Sequence, residues 1–206
     1  MKWTLKDIIQ ETDHPFLNFF SLVYDILKDD GSHMDYTYYM VSRRDKDHLL
    51  SLTKNYEKVD GVVMPLYYVD PESREISLLI TSQFRPAINR YVNSFPAGLI
   101  DDQEEIKDAI IREAIEEAGV EITDIEILTS PGTTSVGISD EINSVALARI
   151  VSFGKNHLED SEDISTRLIK LSDIKKSIDS NDGQFFFPVN IKILLLYLLE
   201  RFKGCY

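Results

Sequence analysis

The sequence predicts an α/β domain built on a mixed sheet, with a small β-rich extension at its N-terminus. Three observations predict it. Segments rich in branched and aromatic residues recur along the chain, the clearest being 16–27, 36–42, 59–70, 75–84, 120–128 and 142–153. One long stretch, 103–118, holds neither Gly nor Pro and is made of helix formers. Strands and helices are interspersed without the strict alternation of a doubly wound parallel sheet. At 206 residues the chain has room for one full domain and a small appendage.

Each element follows from local chemistry. Residues 16–27 and 36–42 read as strands joined through Asp30-Gly31, a hairpin signal, and together they form an extension spanning 1–55 ahead of a main domain at 56–206. A polar stretch, 43–55, links the two. Residues 59–70 and 75–84 read as core strands meeting at Asp70-Pro71. The helix over 103–118 ends at Gly119, where a left-handed cap belongs. Residues 120–128, 142–153 and 165–171 are further strands. Ser172 or Asp173 caps a short helix, and 189–203 forms a last amphipathic one with Pro188 near its start.

Charge and cysteine usage narrow the function classes. The chain carries 22 Lys plus Arg against 35 Asp plus Glu, a net charge of -13, which opposes binding to a nucleic-acid backbone. Cys205 is the one cysteine, so no intrachain disulfide forms and a cytoplasmic setting is expected. With charges at Lys2, Lys6 and Asp7, the first residues are not expected to be a signal peptide. The longest apolar run, 191–199, is broken by Lys192 and reaches about half of the roughly 20 residues that a membrane span needs. His14, His33, His48 and His157 are scattered without ligand spacing, and Trp3 has no assignable role.

The informative acids are clustered. Residues 98–120 hold eight of them against Lys107 and Arg112. On a helical wheel Glu113 and Glu117 lie roughly 40° apart, with Glu116 about 60° to the other side of Glu113. Ile110, Ile111, Ala114, Ile115 and Ala118 fall on the opposite side and form the expected buried face, while Ala109 lies between Glu113 and Glu116 and leaves space above the acids. Like charges at this spacing repel, and a divalent cation offsets the repulsion. Carboxylate oxygens suit Mg²⁺ or Mn²⁺, completed by water and substrate phosphates. Gly98, Glu104, Arg112, Glu113, Glu116, Glu117 and Gly119 together form a pattern that chance produces less than about once in a million chains of this length.

That pattern resembles the Nudix box: Gly, five residues, Glu, seven residues, Arg-Glu, an aliphatic residue, any residue, Glu-Glu, any residue, Gly, aliphatic, with Ala114 a small substitute at one aliphatic position. The resemblance implies a Nudix α/β/α sandwich and Mg²⁺-dependent hydrolysis of a nucleoside diphosphate linked to another group. It implies Glu113, Glu116 and Glu117 as metal ligands, the Ala97 carbonyl as a further one, and Arg112 and Glu104 as a brace for loop and helix. A narrower resemblance covers about residues 34–171: VDGVVMPLYYVD, SQFRPAINRYVNSFPAGLID, SPG and SDE look like the ADP-ribose pyrophosphatase branch, in which Pro131 matches the proline after the box. In that branch the N-terminal strands exchange between subunits, so the resemblance implies a homodimer and a small nucleoside diphosphate substrate, first of all ADP-ribose cleaved to AMP and ribose 5-phosphate.

The same resemblance supplies the remaining candidates. Arg85 matches the arginine that meets the substrate phosphates, and its fork suits them. Arg43 and Arg44 resemble a position that helps sandwich the adenine, with Phe16, Phe19 or Phe20 of the other subunit as its partner; read as strand residues, the same phenylalanines are core. Glu162 is the chosen base for the attacking water, with Asp160 next in LEDSEDI, and Glu141 of SDE is a second candidate as base, metal ligand or substrate contact. Ser94 stands where the branch usually has Glu, Gln103 where many members have Gly, and TTSVGI lengthens the loop before SDE, a departure that bears on substrate choice. Other nucleoside diphosphate sugars of UDP or GDP, dinucleoside polyphosphates, and a module that senses ADP-ribose without turnover are the rival readings.

Overall fold

The computed structural model describes residues 1–158, 163–179 and 185–204, with strands β1 (Lys2–Gln10), β2 (Asn18–Leu27), β3 (His33–Ser42), β4 (Gly61–Val63), β5 (Leu66–Val69), β6 (Ile76–Arg85), β7 (Arg90–Ser94), β8 (Ala97–Leu99), β9 (Val120–Ile127), β10 (Gly132–Thr133), β11 (Ile142–Phe153) and β12 (Ile164–Lys170). The α-helices are α1 (Leu50–Thr53), α2 (Ile106–Glu116), α3 (Leu171–Asp179) and α4 (Val189–Arg201). Two compact units share them: Met1–Asp60 with Pro131–Asn143, and Gly61–Ser130 with Ser144–Tyr206.

In the first unit β1, β2 and β3 form an antiparallel meander. The Asp30-Gly31 turn closes the expected hairpin, with Gly31 at φ 82°. The strand β1 was not expected. Only Ile8 along it is buried, and a register shift between Leu5 and Asp7 breaks its alternation, so it carries no period-2 pattern to read. Phe20, Leu22 and Met40 pack with Ile8 and Leu49 into a small core. A distant segment joins them: Val41 N–H donates to Ile138 C=O at 2.8 Å, and Tyr38 Oη donates to Gly137 C=O at 2.7 Å.

The second unit is a layered α/β structure. Its sheet runs β12-β6-β5-β11-β4-β8, with β7 beside β6 and β9 beside β11; β5 and β11 are parallel, while β12, β5 and β7 all run antiparallel to β6. Alternation along β6 and β11 decides which helix covers which face. Leu78, Ile80 and Leu147 pack with Leu171, Ile174, Ile191, Leu195 and Leu198 of α3 and α4. Leu79, Ala146 and Ala148 pack with Ile110 and Ala114 of α2. Because helices cover both faces, β6 carries the continuous apolar run Leu78-Leu79-Ile80 in place of strict alternation. This is the α/β/α sandwich on a mixed sheet that the sequence predicts.

Two local expectations are corrected. The helix α2 starts at Ile106, three residues late, because Gln103 adopts a left-handed backbone (φ 69°) and Glu105 is the N-cap. Ile111 and Ile115 are 43% and 40% exposed instead of buried. The buried row of α2 is Ala109, Ile110 and Ala114, so the acids flank the packed face and do not lie opposite it. Among the described residues no helix is long and apolar enough to cross a membrane.

Candidate active site

The acids of α2 are brought against the short strand β8, and two glycines make that fit. Gly98 lies in the middle of β8, and a Cβ added there would overlap the Glu113 carboxylate. Its hydrogen is the only substituent that leaves room. Gly119 ends the α2 segment at φ 63°, donating to Ile115 C=O at 3.0 Å, and a Cβ there would lie 2.6 Å from Asn156 N. The chain after β11 closes over this end: Gly154 N–H donates to Gly119 C=O at 2.6 Å and His157 N–H to Glu116 C=O at 2.8 Å. Glu116 and Glu117 are thereby fixed at a terminus whose carbonyls are satisfied.

Arg112 is the hub of the site. Its Nε donates to Glu104 Oε1 (2.9 Å), one terminal nitrogen to Glu113 Oε1 (2.7 Å) and Glu116 Oε2 (3.0 Å), and the other to Glu104 Oε2 (2.9 Å) and Leu99 C=O (3.0 Å). All five N–H donors are used. The hydrogen bond with Glu104 raises the guanidinium pKa further above its ordinary value, and the same bond holds the Glu104 carboxyl below the usual carboxylate range. Glu104 also accepts from Asp101 N–H at 3.0 Å, which ties the loop after β8 to the helix. Glu117 is 8% exposed and its Oε2 accepts Ala97 N–H at 3.0 Å, whereas the Glu116 side chain is 47% exposed at the rim.

The structure thus brings together Ala97, Glu104, Arg112, Glu113, Glu116 and Glu117. Among the described residues no three acidic or histidine side chains are arranged around one point as a finished cation site, and Arg112 stands between Glu113 and Glu116. The donor chemistry and the Gly98 cradle nevertheless fit a hard divalent ion: carboxylate oxygens at the end of a helix, drawn against a strand that leaves them space.

Arg85 ends β6 and is exposed. The other candidates belong to the first unit. Arg43 is ion-paired with Glu141 and lies 5.1 Å over the Phe16 ring. Arg44 donates to Asp60 at 2.5 Å and its Nε lies 3.6 Å from Asp140. Asp140 in turn accepts from Ser42 Oγ (2.6 Å) and Leu50 N–H (3.1 Å). Burial raises the Asp60 carboxyl despite the adjacent Arg44. Pro131 opens the segment 131–143 that packs in this unit. Phe20 is fully buried, as the strand reading expects, while Phe16 and Phe19 are exposed. Glu162 and Asp160 lie outside the described residues. Sequence reasoning missed the Leu99 carbonyl, the Asp101 amide and the His157 amide, since backbone partners leave no signature in residue type.

Comparison with known proteins decides the family. Residues 58–187 match the NUDIX domain. The chain belongs to the Nudix hydrolase family. It is 29% identical over 139 residues to an uncharacterised Nudix hydrolase of Schizosaccharomyces pombe, covering 65% of this chain and 67% of that one. It is 30% identical over 127 residues to the ADP-ribose pyrophosphatase of Bacillus subtilis, covering 61% and 66%. The matches therefore span about two thirds of each curated relative. A crystal structure of an ADP compounds hydrolase superposes with a TM-score of 0.70 at 15% identity, covering 99% of this chain and 96% of that one, and shows the same fold. Nudix hydrolases generally work with divalent metal ions, and the intact Glu113, Glu116 and Glu117 set of this member is consistent with that.

Proposed function

We propose that this Nudix enzyme hydrolyses the diphosphate bond of a nucleoside diphosphate sugar in a Mg²⁺-dependent reaction, with ADP-ribose, cleaved to AMP and ribose 5-phosphate, as its substrate. The observation that carries the reading is the set of carboxylates on α2, two of them drawn against β8 and all braced by Arg112 or backbone amides. Its likeness to the ADP-ribose pyrophosphatase of Bacillus subtilis supports the substrate.

Glu113, Glu116 and Glu117, with the Ala97 carbonyl, would hold the Mg²⁺, or Mn²⁺ in its place. Bound there, the ion supplies neutralisation of diphosphate charge and acidification of a water. The chain's own residues do the rest. Arg112 and Glu104 hold the ligands in place before substrate arrives, so little reorganisation is left to the reaction. Arg85 takes the phosphates through its fork. Glu162 accepts the proton of the attacking water, with Asp160 and Glu141 as the alternatives. Arg43, set by Glu141, stacks on the adenine, because Arg44 is committed to Asp60 and Asp140. Pro131 and Glu141 shape the loop beside the group beyond the diphosphate. A cytoplasmic homodimer formed through the N-terminal strands is part of the same reading, supported by the exposed Ile9 and the stacked, exposed Phe19–Tyr39 pair on one side of that sheet.

The test is Glu117→Gln assayed with Mg²⁺ on a panel of ADP-ribose, UDP- and GDP-sugars and dinucleoside polyphosphates. The expected result is a fall of about a hundredfold or more in kcat on ADP-ribose. Activity close to wild type overturns the assignment, and a preference for another member of the panel overturns the substrate. Light scattering of the eluting peak reads the dimer, and a monomer removes that part of the proposal.

A further inference from the structure

The β6–β7 hairpin places Arg85 directly opposite Arg90. Paired residues in an antiparallel ladder project from the same face with Cβ atoms about 5 Å apart, and like charges in that position repel. Among the described residues neither arginine has a carboxylate partner, although Arg43, Arg44, Arg112, Arg149 and Arg201 all do. In a chain with 35 acids to 22 basic residues, two arginines paired across one ladder with no carboxylate partner among the described residues form a local excess of positive charge.

The face is the relevant one. Leu79 packs with Ile110 and Ala114 of α2, and the alternation of β6 puts Gln83 and Arg85 on that same side, with Arg90 beside them. Arg90 is also held in advance. Its guanidinium lies 4.1 Å over the Phe186 ring, and Phe186 is anchored to the buried Asn93 by two hydrogen bonds, Phe186 N–H to Asn93 Oδ1 (2.9 Å) and Asn93 N–H to Phe186 C=O (2.8 Å). Stacking fixes the plane of the fork while leaving its N–H edges open. Arg167 stacks on Phe185 in the same way at 4.0 Å, but its register partner is Ile80, which belongs to the opposite face of the sheet, under α3 and α4.

We propose that Arg90 is a second substrate-binding arginine, which grips the diphosphate together with Arg85. This rests on the diphosphate substrate argued above.

The test titrates inorganic pyrophosphate with Mg²⁺ into wild type, Arg85→Met, Arg90→Met and Arg90→Lys by calorimetry, alongside KM and kcat for ADP-ribose. Met keeps contact with Phe186 and removes the charge. Expected are a Kd for pyrophosphate and a KM each raised about tenfold by Arg90→Met, comparable to Arg85→Met, with kcat changed less than about threefold and Arg90→Lys recovering most of the binding. A Kd for Arg90→Met within about twofold of wild type overturns the proposal, as does a Lys variant no better than Met or a wild type that binds no pyrophosphate. A wild type that binds pyrophosphate but hydrolyses none of the panel substrates, with that binding lost in Arg90→Met, supports the anion site and overturns the reaction instead.

Discussion

Two arginines surrounded by acids, one in each compact unit, are built on different terms. Arg112 spends all five donors, and every partner lies between Leu99 and Glu116. Arg44 is more buried, 11% exposed at the side chain against 30%, yet its Nε makes no hydrogen bond. Its acids come from residues 60 and 140, and Asp140 has already accepted from Ser42 and Leu50. The first arginine organises a site from one short segment. The second ties together three segments distant in sequence, and tolerates an incomplete network to do so.

Breaking each hub measures that difference. Arg112→Met removes the guanidinium that Glu104, Glu113 and Glu116 share, and the expected cost is about 3 kcal/mol with hydrolysis reduced at least about tenfold; urea melts and kcat check it. Arg44→Met is expected to cost less, about 2 kcal/mol, because one donor is already unsatisfied, and to leave α2 chemistry intact. An Arg44 variant that loses as much activity as the Arg112 variant would refute the contrast.

Acid sharpens it. Glu104 has a depressed pKa when folded, so its contribution is complete above the unfolded value of about 4.3 and is lost as pH falls through the folded value. Asp60 has a raised pKa from burial, so the folded state gains stability, relative to unfolded, as pH falls through that value. Urea midpoints for Glu104→Gln should therefore fall less steeply than wild type below about pH 4.3, whereas Asp60→Asn should lose the gain that wild type shows as pH falls toward the unfolded value of about 3.9. Coincident slopes would contradict both assignments. The smallest expected effect is at Gln103, whose φ of 69° favours glycine: Gln103→Gly should raise stability by up to about 1 kcal/mol, read as a shift in urea midpoint at unchanged slope.

The same division explains what could be read beforehand. The pattern from Gly98 to Gly119 announces its chemistry because helix period, cap and charge are encoded within two dozen residues, and β9 and β11 fall where branched residues predict them. Four strands escaped notice for physical reasons: β1 is nearly all exposed, and β7, β8 and β10 are short, polar or glycine-containing, so their stability comes from neighbours and not from propensity. That residues 131–143 join the N-terminal strands was illegible as well, since a hydrogen bond from Val41 to Ile138 leaves no trace in composition. Ile111 and Ile115 show the converse failure. The wheel put them inside, whereas the buried row is Ala109, Ile110 and Ala114, with Glu117 drawn in beside it.

The glycines carry an inheritance that hydropathy does not record. At Gly132 and Gly137 an added methyl meets open space, so substitutions there can drift without structural cost at the side chain. At Gly98 the methyl would occupy the volume of a carboxylate carbon, so the Glu113 side chain must leave its present position. A single-base change in that codon thus displaces an acid 15 positions away, and variation in a population of such chains should thin at 98 while the loop glycines wander.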